Sequence, residues 1–379
     1  VCRIKQNILL YQKGHVMDNL EFLLTLNSLR IGSAFYTRLL RYFDSPDAIA
    51  KAGPGQLHRI PRISSLATEL PKAFSEQAGS RELELAQKNG IKVISFLDKE
   101  YPERLKSIYD YPLVLYVRGN IKALENELML GVVGTRHNTI YGQMQSERIS
   151  YGLVQRGFCV VSGLARGIDT SAHIGALKVK AGQTIAVLGN GLKYVYPPEN
   201  KKLADRICEN GAIVSEQPFD SGPLKQNFPT RNRIISGLSM GIVIIEAPLK
   251  SGALITADFA LEQGREVFAL PGKVDNIVSR GCHYLIKQGA KLIEGVDDIF
   301  DELNITFASD SPAEAQRTAQ SFDQREKEIV AVLSTSDPLS IDDMIDKTKL
   351  PPSLVLTTLL TLEMKKAVRQ LPGKNYIRI

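Results

Sequence analysis

One acid-free run holds the residues most able to do chemistry. From Ser221 to Ile245 the chain has no carboxylate, while Lys225, Arg231 and Arg233 supply cations around a single aromatic, Phe228. Pro229 suits the first turn of a helix, which would set Arg231 and Arg233 near its start. Cations there oppose the helix dipole and cost roughly a few tenths of a kcal/mol, a placement that makes sense if an anion arrives. Asn232, between the two arginines, adds a polar side chain to the same turn. Phe228 can be read as a residue stapling the helix start or as a platform on which an unpaired base stacks. A further cation, Arg136, follows the run Gly131-Val132-Val133-Gly134-Thr135. No acidic residue lies between Glu127 and Glu147 to neutralise it.

Two other stretches offer backbone amides. Ser162-Gly163-Leu164-Ala165-Arg166-Gly167-Ile168-Asp169 reads as a glycine-rich turn entering a helix, a nest suited to phosphate. Asp169-Thr170 could cap that helix, and His173, one turn in, is read as a packed histidine rather than a catalyst. Ser251-Gly252-Ala253 opens another helix after a strand ending in Glu246, and promises a second set of free amides.

The motifs that would make this an enzyme are missing. After Gly131 the glycines are spaced G-x-x-G, not G-x-G-x-x-G. The following strand ends in Ser162-Gly163, where a dinucleotide site would place an acid for the ribose. No G-x-x-x-x-G-K-[ST] occurs, so neither a nicotinamide nor an ATP role is supported, and no cofactor is expected. Five histidines without ligand spacing argue against structural zinc, and Cys2, Cys159, Cys208 and Cys282 form no C-x-x-C pair. Scattered thiols suit a reduced, cytoplasmic setting. Of the 379 residues, 44% are hydrophobic and 23% charged, and the net charge of +6 leans mildly toward an anionic partner. No apolar run is long enough to span a membrane. Residues 1–16 read as a disordered or over-extended start.

The elements that must position these residues follow in order. A helical N-terminal domain is expected over 17–80. Within it, Ile60-Pro61-Arg62-Ile63 before a helical stretch resembles a helix-hairpin-helix, with Arg62 where that hairpin needs glycine; a purely structural helical cap is the other reading. The core is expected over 81–302, with strands at 91–97, 112–117, 128–133, 158–162, 184–188, 212–215, 241–246, 266–270 and 291–293. Strand–helix alternation with short connections implies a doubly wound, mostly parallel sheet, whose ligands bind beyond the strands' carboxyl ends. A polar linker over 303–324 leads to three helices and a β-hairpin at 325–379, the outline of a winged helix.

Taken together, the motifs resemble the DNA-processing protein A (DprA/Smf) family. Gly134-Thr135-Arg136 with Tyr141-Gly142, the Ser162–Asp169 turn with His173, and Ala186–Gly191 with Tyr196-Pro197 match its motifs in order. So do Ser215-Glu216, Phe228-Pro229 through Ser236, Glu246-Ala247 with Ser251-Gly252, and Pro271-Gly272. The resemblance covers roughly 90–300 and, more loosely, both flanks. It implies an extended Rossmann-like core between a helix-hairpin-helix or SAM-like domain and a winged helix. It also implies a cytoplasmic, dimeric, non-enzymatic protein that binds single-stranded DNA and helps load a RecA-type recombinase in natural transformation. Arg136, Lys225, Phe228, Arg231 and Arg233 would then contact DNA. Gly134, Thr135, Ser162, Gly163, Arg166, Gly167, Asn232, Ser251 and Gly252 would form the rest of the site.

A related sheet occurs in lysine-decarboxylase-like nucleotide phosphoribohydrolases, but their P-G-G-x-G-T-x-x-E loop has no counterpart at Pro271-Gly272-Lys273-Val274-Asp275 or Lys250–Leu254. Two finer expectations complete the reading. The winged helix should not read a major groove, because Pro352–Met364 contains no Lys or Arg. Gly281–Ile286 and Leu292-Ile293 form either a dimer edge or buried core.

Overall fold

The structure, a computed structural model, describes residues 19–63, 65–305, 322–334, 337–365, 367–371, 373 and 375–378. Residues 1–16 and most of the expected linker lie outside this set. The chain divides into two compact units, one made essentially of the chain up to Leu303 and one of the chain after it.

Nine strands build the first unit's sheet: β1 Lys92–Ser95, β2 Val114–Gly119, β3 Met129–Val133, β4 Cys159–Ser162, β5 Thr184–Leu188, β6 Ala212–Ser215, β7 Gly241–Ile244, β8 Glu266–Ala269 and β9 Lys291–Leu292. Their order is β1-β2-β6-β5-β4-β3-β7-β8-β9. β1 and β2 are antiparallel additions, and β6 through β9 run parallel. Each strand expected from the sequence is present, most trimmed by a residue or two. The parallel strands β3 to β7 are buried along their whole length, as their continuous apolar runs require when helices cover both faces.

Numbering helices of eight residues or more, the first unit carries α1 Asn19–Ser28, α2 Leu66–Ser75, α3 Ala78–Lys88, α4 Ile140–Gln155, α5 Ile168–Ala176, α6 Lys201–Asn210, α7 Asn227–Leu238, α8 Gly252–Glu262 and α9 Arg280–Lys287. The chain winds one way from β3 to β6, then returns through α7 to start again at β7, beside β3. The β3/β7 junction is therefore the topological switch point, where open α/β sheets form their ligand crevice.

The N-terminal helices share one apolar core with the sheet, Phe22, Leu26 and Tyr36 packing with Phe96 and Tyr116. The boundary expected at residue 80 falls inside α3, because the helix read from Arg81 onward already begins at Ala78. Arg62 adopts φ +62°, and Gly90 ends α3 with φ +68°. Arg62 thus carries the left-handed turn that the hairpin reading assigns to glycine.

The second unit holds α10 Gln324–Val332, α11 Ile341–Thr348 and α12 Pro352–Met364 with three short strands, β10 Leu339–Ser340, β11 Val368–Leu371 and β12 Asn375–Arg378. The strands pair in the order β10-β12-β11. Ile329, Met344, Val355, Leu359, Leu362 and Val368 form its core. This is the winged helix expected, with β10 as an additional two-residue strand.

Candidate nucleic-acid interface

The switch point opens into a cavity of about 510 Å³. β3 delivers Gly134, Thr135, Arg136 and His137 to its rim; the segment after β7 delivers Pro248, Lys250, Ser251 and Gly252; α7 supplies Phe228, Arg231, Asn232 and Ile235. Gly134 is required by close approach, since a Cβ there would stand 2.8 Å from the Glu246 carbonyl. Thr135 N–H donates to that same carbonyl at 2.7 Å, which ties the ends of β3 and β7 together.

Phe228 is half-buried. Its ring centroid lies 5.5 Å from that of Tyr196, tilted by 45°, and the Arg136 guanidinium lies 5.6 Å from it. The ring is therefore held by neighbours at the cavity wall rather than driven into the core. Arg136, Lys225 and Lys250 are exposed around it. Lys250 and Tyr196 lie in stretches quoted from the sequence but were not expected there as contact residues; both line the cavity.

The two helical arginines part company. α7 begins at Asn227, two residues before Pro229, so both arginines sit beyond its first turn and the dipole argument does not apply to them. Arg231 is 4% exposed. Its Nη1 donates to the carbonyls of Gly163 (2.9 Å) and Val187, and its Nε to Asn232 Oδ1 at 3.1 Å. It fastens α7 to the ends of β4 and β5 and forms the cavity floor. Burial pulls its guanidinium down to about 10, opposed by the nearby Asp169 charge.

Arg233 lies on another side of α7 and does not line this cavity. Its Nη2 donates to Glu216 at 2.6 Å and its Nε to Asp110 at 3.3 Å. Burial works against its charge, but the two carboxylates more than offset this and hold the guanidinium above its ordinary value. The acids come from distant elements, so a scan of the local charge window could not find them.

The expected phosphate nest is occupied by the protein's own anion. Gly163 N–H donates to Asp169 Oδ2 at 3.1 Å, and Asp169 is buried. Burial raises its carboxyl, while Arg231 and the amides of Ala165 and Gly163 pull the other way. Gly167, at φ +80°, packs against the strand end, where a Cβ would stand 2.4 Å from the Thr135 carbonyl. Ser162 is fully buried and its hydroxyl donates to the Val132 carbonyl at 2.7 Å. Arg166 is outside the cavity lining and pairs with Glu199.

Ser251 is a helix cap whose Oγ accepts from Ala253 N at 3.2 Å; Leu254 N donates to the Ser251 carbonyl. Two of the amides expected to be free are thus satisfied internally. Gly252 O accepts from Asn232 Nδ2 at 3.2 Å, joining α7 to α8 across the cavity.

His173 is the packed residue expected. Thr184 Oγ1 donates to the Val160 carbonyl at 2.7 Å, so it accepts from His173 Nδ1–H at 2.8 Å. Nε2 is then unprotonated, buried, and without a hydrogen-bond partner among the described residues. Burial, helped by the Arg231 charge, holds the imidazole down at about 3.

Four cations, Arg136, Lys225, Arg231 and Lys250, thus line a cavity whose one carboxylate among the described residues is Asp169. Its walls combine these charges with a half-buried aromatic, and the carboxylate is already engaged. Chemically this is an anion-binding crevice with a stacking surface, on a doubly wound sheet.

Comparison with known proteins agrees in class and in order of elements. Residues 92–304 match the family model for DNA recombination-mediator protein A, and residues 312–374 match the DprA winged helix domain. The chain belongs to the DNA recombination-mediator protein A (DprA/Smf) family. It is 45% identical over 223 residues to the DNA processing protein DprA of Bacillus subtilis, covering 59% of this chain and 75% of that one. The X-ray structure of DNA processing protein A from Streptococcus pneumoniae superposes with a TM-score of 0.66 at 35% identity, covering 76% of this chain and 99% of the other. A structure of the Helicobacter pylori protein, described for its single-stranded DNA binding mode, has a TM-score of 0.51 at 30% identity. It covers 56% of this chain and 95% of its own.

Proposed function

We propose that this protein binds single-stranded DNA in the crevice at the β3/β7 switch point and acts as a recombination mediator in natural transformation. The observation that carries the reading is the unbalanced cluster of Arg136, Lys225 and Lys250 around the half-buried Phe228 ring. Unpaired nucleic acid needs both parts, cations for its backbone and a π face for its bases. Arg136, Lys225 and Lys250 engage phosphates, and Phe228 stacks on a base. Gly134, Thr135, Asn232, Ser251 and Gly252 shape the rim. Arg231, with Nε and Nη1 committed to carbonyl oxygens, supports the floor and adds field. Ser162, Gly163 and Gly167 hold the strand ends, Arg166 can reach the strand only by leaving Glu199, and Arg233 positions α7 from behind. The family's single-stranded DNA-binding member from Helicobacter pylori supports the reading.

The same proposal includes a RecA-type recombinase as partner, self-association as a homodimer, and a reducing cytoplasmic setting that suits the free Cys159, Cys208 and Cys282. A purely binding role is favoured over a phosphoribohydrolase because Asp169, the carboxylate at hand, is committed to the Gly163 amide and Arg231. Titrating the protein with one oligonucleotide in single- and double-stranded form, beside an assay for base release from nucleoside monophosphates, separates the two. Preference for the single strand without base release is expected. Base release abolished by Asp169→Asn would replace this reading with the enzymatic one.

A further inference from the structure

α7 separates two cavities. Residues 228, 231, 232 and 235 face the crevice just described, whereas Asn227, Thr230 and Arg233, spaced i, i+3, i+6 along another side of the same helix, line a second cavity of about 450 Å³. Its other walls come from the turn after α1, with Arg30, and from the 109–113 segment before β2.

The two cavities differ in charge. In the second, Arg30 and Arg233 are balanced by Asp110 and Glu216, so it offers no net attraction to phosphate and suits a neutral polar ligand. It also carries hydrogen-bonding capacity of both kinds. Arg233 Nη1 is buried and has no acceptor among the described residues, while its other two nitrogens hold Asp110 and Glu216. Asp110 accepts from Arg233 Nε and from Ser33 Oγ at 3.3 Å. A carboxylate has about four lone-pair sites, so Asp110, 44% exposed in its side chain, retains room for a donor.

Two aromatic rings complete the cavity. Tyr109 is 82% exposed, yet its neighbours Ile108 and Tyr111 are buried, so the backbone is anchored while the ring stands in solvent at the rim. Phe35 also lines the cavity, and its ring lies 5.2 Å from the Arg38 guanidinium.

We propose that this second cavity is a base-binding subsite for the same single strand, selective for bases that carry both a carbonyl and an amino group, cytosine or guanine. The carbonyl takes Arg233 Nη1, the amino group donates to Asp110, and Tyr109 stacks on the ring. Thymine lacks the amino group and adenine the carbonyl. The exposed Lys225 and Gln226 just before α7, with Thr230 in its first turn, form the ridge between the two cavities. A strand with phosphates at Lys225 therefore delivers its next bases to the second cavity. The proposal rests on the reading of the first crevice as the main DNA site.

The test is anisotropy with oligo-dC and oligo-dT from about 4 to 20 nucleotides, a range spanning usual single-strand site sizes, on the full chain and its Tyr109→Ala, Asp110→Asn and Phe228→Ala variants. Long oligo-dC is expected to bind several-fold tighter than long oligo-dT. Tyr109→Ala should weaken long oligonucleotides roughly fivefold or more, the low end of losing one stacked base, and leave the shortest ones unchanged. Asp110→Asn should erase the dC preference. If Phe228→Ala loses affinity at all lengths while Tyr109→Ala matches wild type throughout, the main site stands and this subsite is wrong. Equal binding of long dC and dT by the wild type also overturns it. A wild-type chain that binds no oligonucleotide overturns the reading of the first crevice instead.

Discussion

Phe228 and His173 show how side chains of similar appearance in sequence take opposite roles. Phe228 touches Tyr196 and Arg136 at a cavity wall and is not among the buried hydrophobic residues. Phe228→Ala should therefore cost on the order of 1–3 kcal/mol of oligonucleotide affinity, the range for one stacked base, with little change in melting temperature. A lower melting temperature with intact affinity, measured by calorimetry and anisotropy on the same sample, would instead make it a staple. His173 is buried, and its folded value of about 3 lies below its ordinary 6.5. Between these values the unfolded chain binds a proton that the folded chain refuses, so stability attributable to His173 is present above about pH 6.5 and lost as pH falls toward 3. Asp169, raised by burial, acts in the opposite sense, and only a comparison with a variant isolates the histidine. In His173→Asn the amide can still donate to Thr184. The wild-type advantage over this variant in urea unfolding should shrink by up to about 1.4 kcal/mol per pH unit between pH 6 and 4. A gap that stays constant across that range contradicts the assignment.

At the scale of elements, what was legible in the sequence was what depends on local pattern. Apolar runs such as Thr184–Leu188 and Ala212–Ser215 located strands to the residue, because a strand buried on both faces leaves no polar position to blur its ends. The start of α7 was less clear, since Pro229 suits a first turn whereas the helix already begins at Asn227. The partners of Arg233, the occupancy of the Gly163 turn by Asp169, and the second side of α7 were not legible. Each depends on which distant elements meet. In the winged helix, α12 exposes Leu356 and Leu360 among Ser353, Thr357 and Thr361, and buries Val355, Leu359 and Leu362. A helix with an apolar exposed stripe and no Arg, Lys, Asn or Gln lacks the bidentate side chains for base edges and the cations for phosphates. The isolated 320–379 fragment is accordingly expected to show no sequence-specific duplex binding in a gel-shift titration; a tight specific complex would overturn this.

Across the whole molecule, a modest net charge of +6 is concentrated where it counts, with Arg136, Lys225, Arg231 and Lys250 facing Asp169 at the switch point. No helix among the described residues is long and apolar enough to cross a membrane. The self-association expected around Gly281–Ile286 and Leu292-Ile293 divides between two kinds of residue: Cys282, Leu285 and Ile293 are buried within the chain, whereas Tyr284 and Leu292 are exposed beside the sheet's β9 edge. Leu292→Arg should therefore keep its fold and sediment as a monomer; loss of folding, seen by circular dichroism, would place Leu292 in the core instead.

The central claim, that the β3/β7 crevice binds a nucleic-acid backbone through its free cations, is tested most directly by the salt dependence of single-strand affinity. On single strands the slope of log K against log salt falls by roughly 0.7 for each phosphate that the protein no longer neutralises. Arg136→Ala should weaken binding and flatten the slope by about that amount, while Arg233→Ala, whose charge is spent on Glu216 and Asp110, should lower stability without flattening it. Arg136→Ala that binds like wild type at every salt concentration would contradict the account.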